Sequence, residues 1–217
     1  MRKKLLITLI VIAGVAILMS TCQWRLGSDI EMLEQKAVEK NVREPTDGVT
    51  SGILYGTDNT GPGGGKVFYY SASGFTMTDN NQVCHYLEAA PADMPSYLTW
   101  ASADYYSTRI NGTGKSIGTG RKNTAMILAT DANAPAAKAC SEYRGGGKSD
   151  WFLPSKNELN ELHNGRALVG NMSNSYYWSS SQYINNYYVV WHQYFNYGSQ
   201  DYSYKGGSHF VRAIRAF

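Results

Sequence analysis

Four patterns of apolar and polar positions succeed one another along the chain. Leu5 to Met19 is an uncharged run, apolar but for Thr8, behind the basic triplet Arg2, Lys3 and Lys4. That is the pattern of an export signal, and it falls short of the ~20 apolar residues that cross a bilayer. The next segment, QWRLGSDIEMLEQKAVEKNVREPTDG, is polar. Ser28 and Glu31 stand there at capping-box spacing, and Ile30, Leu33 and Ala37 share a helical face, so a short helix or tether is expected until Pro45 to Gly48 breaks it. From Val49 the chain turns globular. GPGGGK predicts a tight turn before the strand-like Val67 to Tyr70, and CHYLEAAPADM and LTWASA read as short strands. Thr124, Ile127 and Leu128, then Ala136, Ala139 and Cys140, mark two helical segments parted at Pro135 and closed by Gly145 to Gly147. A third helix follows, with Ser155 and Glu158 as a capping box, Leu159 and Leu162 inward, and Gly165 as its stop.

From Tyr176 onward the period becomes two. Trp191, Gln193 and Phe195 then share one strand face, expected to be inward, and His192, Tyr194 and Asn196 share the other, expected to be outward. The last residues, FVRAIRAF, alternate in the same way, with Arg212 and Arg215 placed to tie down the sheet end. Strands first, helices in the middle and strands last predict an α+β domain whose two ends meet in one sheet. The organisation is therefore a signal over residues 1–21, a tether over 22–48 and one domain over 49–217.

The end of the apolar run adds an anchor to this picture. In LMSTC the small residues Ser20 and Thr21 precede Cys22, which stands where a bacterial lipoprotein signal is cleaved and its cysteine acylated. This reading lipidates Cys22 and holds the protein on a bacterial membrane, expected to be the outer membrane with the domain at the cell surface. An ordinary signal peptide with an incidental cysteine, or an uncleaved anchor, would explain the same residues. Without Arg2, Lys3 and Lys4, bases and acids balance at seventeen each, so there is no electrostatic footprint for nucleic acid. Cys84 and Cys140 remain, and in an exported chain they form either a disulfide or two buried thiols. His85, His163, His192 and His209 are scattered and no cysteine–histidine spacing suggests zinc, so neither a metal nor a cofactor is expected. The glycines of GPGGGK do not make a phosphate loop, because no Gly-Lys-Ser or Gly-Lys-Thr follows.

One stretch resists a purely structural reading. Nine of the seventeen tyrosines fall between Tyr176 and Tyr204, and from Ala167 to Tyr204 the only formal charge is Asp201. Tyrosine offers a large rigid contact area and a polar tip while fixing two torsions, which suits a binding surface.

The ordered motifs GGGKVFYY, YLEAAPAD, SDWFLPSKNEL, YWSSSQY and VRAIRAF resemble a bacterial family of formylglycine-generating-enzyme-like domains that serve as variable proteins of diversity-generating retroelements. The resemblance implies a C-type lectin-like fold with an antiparallel sheet and two to three helices. It also implies a C-terminal region, about 184–210, that an error-prone reverse transcriptase rewrites at template adenines, chiefly in AAC codons. Changes at the first two bases of AAC never give Trp, Gln, Lys, Glu or Met. Trp191, Gln193, Gln200 and Lys205 are therefore fixed, and with Phe195 and Gly198 they match the family's W-x-Q-x-F-x-x-G-x-Q pattern. The positions between are all reachable: Tyr187, Tyr188, Val189, His192, Tyr194, Asn196, Tyr197, Ser199, Asp201, Tyr202, Ser203, Tyr204, Gly206, Gly207, Ser208 and His209. These sixteen are the expected ligand-binding residues; Ile184 and Phe210 are reachable too but are left with the framework.

The resulting expectation is a monomeric surface receptor for protein ligands. A calcium-independent glycan adhesin on the same fold is the alternative, since the calcium-lectin signatures Glu-Pro-Asn, Gln-Pro-Asp and Trp-Asn-Asp are missing from the sequence. Catalysis is not expected: the paired-cysteine copper site of the enzymes is not matched by Cys84 and Cys140, and WSSS has no recognisable histidine and acid beside it.

Overall fold

The alternating runs become strands and the capped runs become helices in a computed structural model that describes residues 60–217. The signal over 1–21, Cys22, the tether over 22–48 and the first residues of the domain lie outside the described residues. In chain order the strands are β1 (Lys66–Thr76), β2 (Val83–Ala89), β3 (Leu98–Thr99), β4 (Tyr176–Gln182), β5 (Val189–Tyr194), β6 (Gln200–Tyr204), β7 (Ser208–His209) and β8 (Ile214–Ala216). Between β3 and β4 lie the helices α1 (Gly120–Thr130), α2 (Pro135–Glu142), α3 (Lys156–Asn164) and α4 (Arg166–Val169). Three antiparallel sheets result, ordered β1-β2-β8, β3-β7 and β4-β5-β6. The last strand pairs with the second, Leu87 opposite Ala216 and Ala89 opposite Ile214, so the ends of the domain do meet in one sheet. The architecture is α+β and C-type lectin-like.

The described residues hold four α-helices where two to three were expected. The addition is α4, because Gly165 does not stop the chain's helical course. It closes α3 through its N–H to Glu161 O at 2.9 Å, and the next turn follows at once, burying Val169 in the core. The capping box of α3 forms as the spacing predicts: the Glu158 N–H donates to Ser155 Oγ at 3.3 Å and the Ser155 N–H to Glu158 Oε2 at 2.7 Å. Glu158 is fully buried and also accepts the Gly118 N–H at 2.8 Å; burial pushes its carboxyl up to about 7 against the pull of these donors.

Two cores flank β4, and its alternation divides them. Trp178 packs with Trp100, Trp151, Val190 and α1–α2, whereas Tyr177 packs with Phe68, Phe152, Phe195 and α3. Cys84 belongs to the second core and Cys140 to the first, and both are buried free thiols, raised by burial. The thiol alternative therefore describes this fold.

The glycine-rich turn grips a carboxylate of its own chain. Glu88 accepts the N–H of Gly63 at 2.8 Å and of Gly65 at 3.1 Å. A Cβ at Gly65 would stand 2.1 Å from Ala89 O, which only glycine avoids. Arg215 completes the cluster, reaching Glu88 at 2.6 Å and Asp150 through two bonds of 2.8 and 2.9 Å. Arg212 is equally enclosed, bonded to Asp93 at 2.7 Å, to Ala90 O at 2.7 Å and to Asn171 O. Both arginines are structural ties.

Candidate functional site

The positions expected to bind ligand fall mainly on the sheet β4-β5-β6 and the two turns that follow its strands. Pairing β5 with β4 sets Tyr194 opposite Tyr176 and His192 opposite Trp178, so these four share one face. Pairing β5 with β6 sets Trp191 opposite Tyr202 and Val189 opposite Tyr204 on the other. Asn196, Tyr197 and Ser199 lie in or next to the β5–β6 turn, while Gly206 and Gly207 form the next turn and lead to Ser208 and His209 on β7. Tyr187 and Tyr188 stack on each other at 4.7 Å just before β5.

Most reachable positions reach solvent, whereas the fixed residues divide: Trp191, Gly198 and Gln200 are half-buried and the other three are enclosed. Tyr187, Tyr188, Asn196, Tyr197, Ser199, Asp201, Tyr202, Tyr204 and Ser208 are exposed, and Val189, Tyr194, Ser203, Gly206, Gly207 and His209 are half-buried. Gln193, Phe195 and Lys205 are fully buried. Ile184 is exposed, whereas Phe210 is half-buried and packs on Tyr97 at 4.3 Å and on Tyr177 at 5.4 Å. Of the two AAC-reachable glycines the tighter is Gly206, where a Cβ would meet the Tyr204 ring at 2.7 Å.

The expected split into an inward and an outward face needs correction at two residues. His192 is only 9% exposed, because Tyr176, Trp178 and His209 close around it at 4.9, 6.2 and 5.0 Å. Trp191 is half-exposed, covered by Tyr183 and Tyr202 edge-on at 5.6 and 6.0 Å and by the Lys156 ammonium 3.8 Å from its ring centre. Tyr202 and Tyr204 moreover share the face of Trp191, since β6 is an edge strand whose side chains reach solvent on that face as well.

The fixed residues form the frame beneath. Gln193 Nε2 donates to Asn160 Oδ1 at 3.0 Å and Gly198 O at 3.1 Å, and Gln200 Nε2 donates to Lys156 O at 2.8 Å, which pins the β5–β6 turn to α3. Gly198 has φ +79°, and a Cβ there would lie 2.5 Å from the His163 ring, so both backbone and space call for glycine. Lys205 donates to Thr108 O at 2.5 Å and Gln182 Oε1 at 3.2 Å with its ammonium 5.0 Å from the Trp100 ring centre, and burial pulls it down to about 8.

On the Tyr176 face, Tyr176 stacks on Tyr194 at 4.6 Å, and His192 Nδ1 meets His209 Nε2 at 3.0 Å, one neutral ring donating to the other. Burial lowers both imidazoles. His209 falls to about 4, helped by its neighbour His192, whereas Asp201 partly offsets the fall at His192. A base depressed in the folded state is disfavoured when charged, so the pair's contribution to stability is complete above the unfolded value of about 6.5 and is lost as pH falls toward 4. In a proton-NMR titration the His209 ring is expected to stay neutral down to about pH 4; a midpoint near 6.5 would mean that the pair is open to water.

Sequence reading missed Tyr176 and Tyr183 as parts of this surface, although both carry its rings, and it missed Arg109, Lys115 and Lys156. The tyrosines lie outside the codon-defined window, and the cations come from segments far from it in sequence. Among the described residues no group of three histidine, cysteine or acidic side chains is arranged to hold a metal.

A family model described as the Lcl C-terminal domain matches residues 77–215, which span from the end of β1 into β8 and include all sixteen positions expected to bind ligand. No curated protein matches the chain.

Proposed function

Since the chain belongs to the Lcl C-terminal domain family over residues 77–215, we propose that it is a surface-displayed lipoprotein whose Tyr-rich sheet and turns bind protein ligands, with the binding residues diversified by a retroelement. Cys22 anchors it through lipid, and it acts as a monomer without catalysis. One observation carries this reading: of these sixteen AAC-reachable positions, fifteen are exposed or half-buried, while three of the six fixed residues between them, Gln193, Phe195 and Lys205, are fully enclosed. Exposed positions accept replacement at little cost, usually within ~0.5 kcal/mol, whereas a core position does not. The serines of WSSS support binding over hydrolysis, because all three are buried and two donate to backbone carbonyls, Ser179 to Trp191 O at 2.8 Å and Ser181 to Gly114 O at 2.7 Å.

Two measurements test the proposal. Sequencing the flanking DNA is expected to find a near-copy of this region with AAC at the sixteen positions beside a reverse-transcriptase gene; a locus without either removes the retroelement. In a yeast-displayed library with those positions randomised, most members are expected to bind a conformation-specific antibody raised against β1-β2-β8, whereas randomising Gln193, Phe195 and Lys205 abolishes that binding. Equal loss in both libraries sinks the proposal. Glycan-array binding competed by free sugar would favour the adhesin.

A further inference from the structure

A cationic patch lies beside the aromatic face, and among the described residues its cations form no ion pair. The Lys156 and Lys115 ammoniums stand 3.8 and 5.2 Å from the centre of the Trp191 ring. Partial burial, together with the charge of Lys115, lowers Lys156. Lys115 also lines a groove of about 280 Å³ with Arg109, Asn111, Thr113 and Tyr183. Arg109 has only a long contact of 3.4 Å to the Ile184 carbonyl. Among the described residues every ion pair belongs to another cation, Arg121, Arg212 or Arg215. Two lysine ammoniums gathered near one indole repel each other, and such a pair gains most from an incoming anion.

We propose that this patch, formed by Lys115, Lys156 and the Arg109 groove next to Trp191, takes the carboxylates of an acidic peptide segment of the protein ligand. The inference rests on the reading of a protein-binding face and adds the chemistry of what it binds. Tyr183 stacks on the variable Tyr202 at 4.6 Å, so the cations adjoin the diversified surface. None of the three cations can be written by AAC variation of its own codon window, since all lie outside residues 184–210. They therefore supply a constant anionic-group anchor next to a changing aromatic rim, the pairing of arginine or lysine with tyrosine and tryptophan that concentrates binding energy in protein interfaces. The compactness of the patch favours one or two acidic side chains over a long polyanion, which needs a basic track along which to lie.

Selection of random twelve-residue phage peptides on the full chain tests this. Selected peptides are expected to be enriched in Asp and Glu over the input, and synthetic copies to bind Lys115→Ser/Lys156→Ser about a hundredfold more weakly, roughly tenfold for each charge-assisted contact removed. Lys115→Arg/Lys156→Arg should keep most of the affinity, which separates charge from shape. Selected peptides without acidic enrichment, or ones indifferent to the Ser variants, overturn the anchor and leave the protein-binding reading standing. A selection that returns no binder at all is evidence against that reading itself. Heparin that binds the patch and displaces the acidic peptides at equal charge concentration would overturn the proposal in favour of a sulfated polymer.

Discussion

Replacing Arg215 by alanine is expected to lower the stability of the domain by about 3–5 kcal/mol, the range for removing one partner of a buried ion pair. The side chain is the hinge of a charge cluster at the meeting point of β2 and β8: it bonds Glu88 at 2.6 Å and clasps Asp150 with its fork. Glu88 is fully enclosed, and without the guanidinium its partners among the described residues are the backbone N–H groups of Gly63 and Gly65. A lone buried carboxylate then costs far more than the lost bonds themselves. Arg215→Lys restores a charge but not the fork, so its loss should fall between wild type and alanine. Arg215→Met/Glu88→Gln removes both charges while the amide oxygen still accepts from the Gly63 and Gly65 N–H groups, and should recover part of the deficit. Urea denaturation followed by circular dichroism measures all three. A deficit below ~1 kcal/mol for the alanine variant, within the range of exposed pairs, would show that the cluster is wet.

What the sequence could reveal was what neighbouring residues decide among themselves. Ser155 and Glu158 form their capping box because both partners lie within one helical turn, and the alternation of β5 holds because it is a property of a single strand. What it could not reveal depended on partners brought in from elsewhere. The GPGGGK glycines were legible as a structural turn, yet their carboxylate partner is Glu88, on a different strand. Strand parity predicted separate faces for Trp191 and His192 correctly. It could not tell which face is covered, because that is decided by Trp178 and His209 on one side and by Tyr183 and two lysines on the other. Nor could parity be carried across the turn to Tyr202 without the register of β6. Gly165 ends α3 as the pattern suggests, but α4 begins immediately because Val169 finds a place in the core.

Trp178→Ala should produce the largest loss within the sheet β4-β5-β6, about 3–5 kcal/mol as for other buried tryptophans. Its indole is fully enclosed, donates to Leu98 O at 2.8 Å and lies under the His209 ring at 4.0 Å. Truncation opens a cavity, leaves the Leu98 carbonyl without its donor and takes the floor from beneath the His192–His209 pair. Tyr194 shares that face but lies further toward solvent, stacked on the exposed Tyr176, so Tyr194→Ala should cost only about 1 kcal/mol while weakening ligand binding by roughly 2 kcal/mol if it is an aromatic hot spot. The two variants thus invert: one loses the fold together with the binding, the other the binding alone. Guanidinium unfolding midpoints, read beside the affinity of a peptide selected on the wild-type chain, distinguish them. Comparable unfolding losses for Trp178→Ala and Tyr194→Ala would mean that the variable residues share in holding the sheet together. A sheet of that kind could not have its upper face rewritten freely, because each new set of side chains would have to restore the packing that the last one supplied.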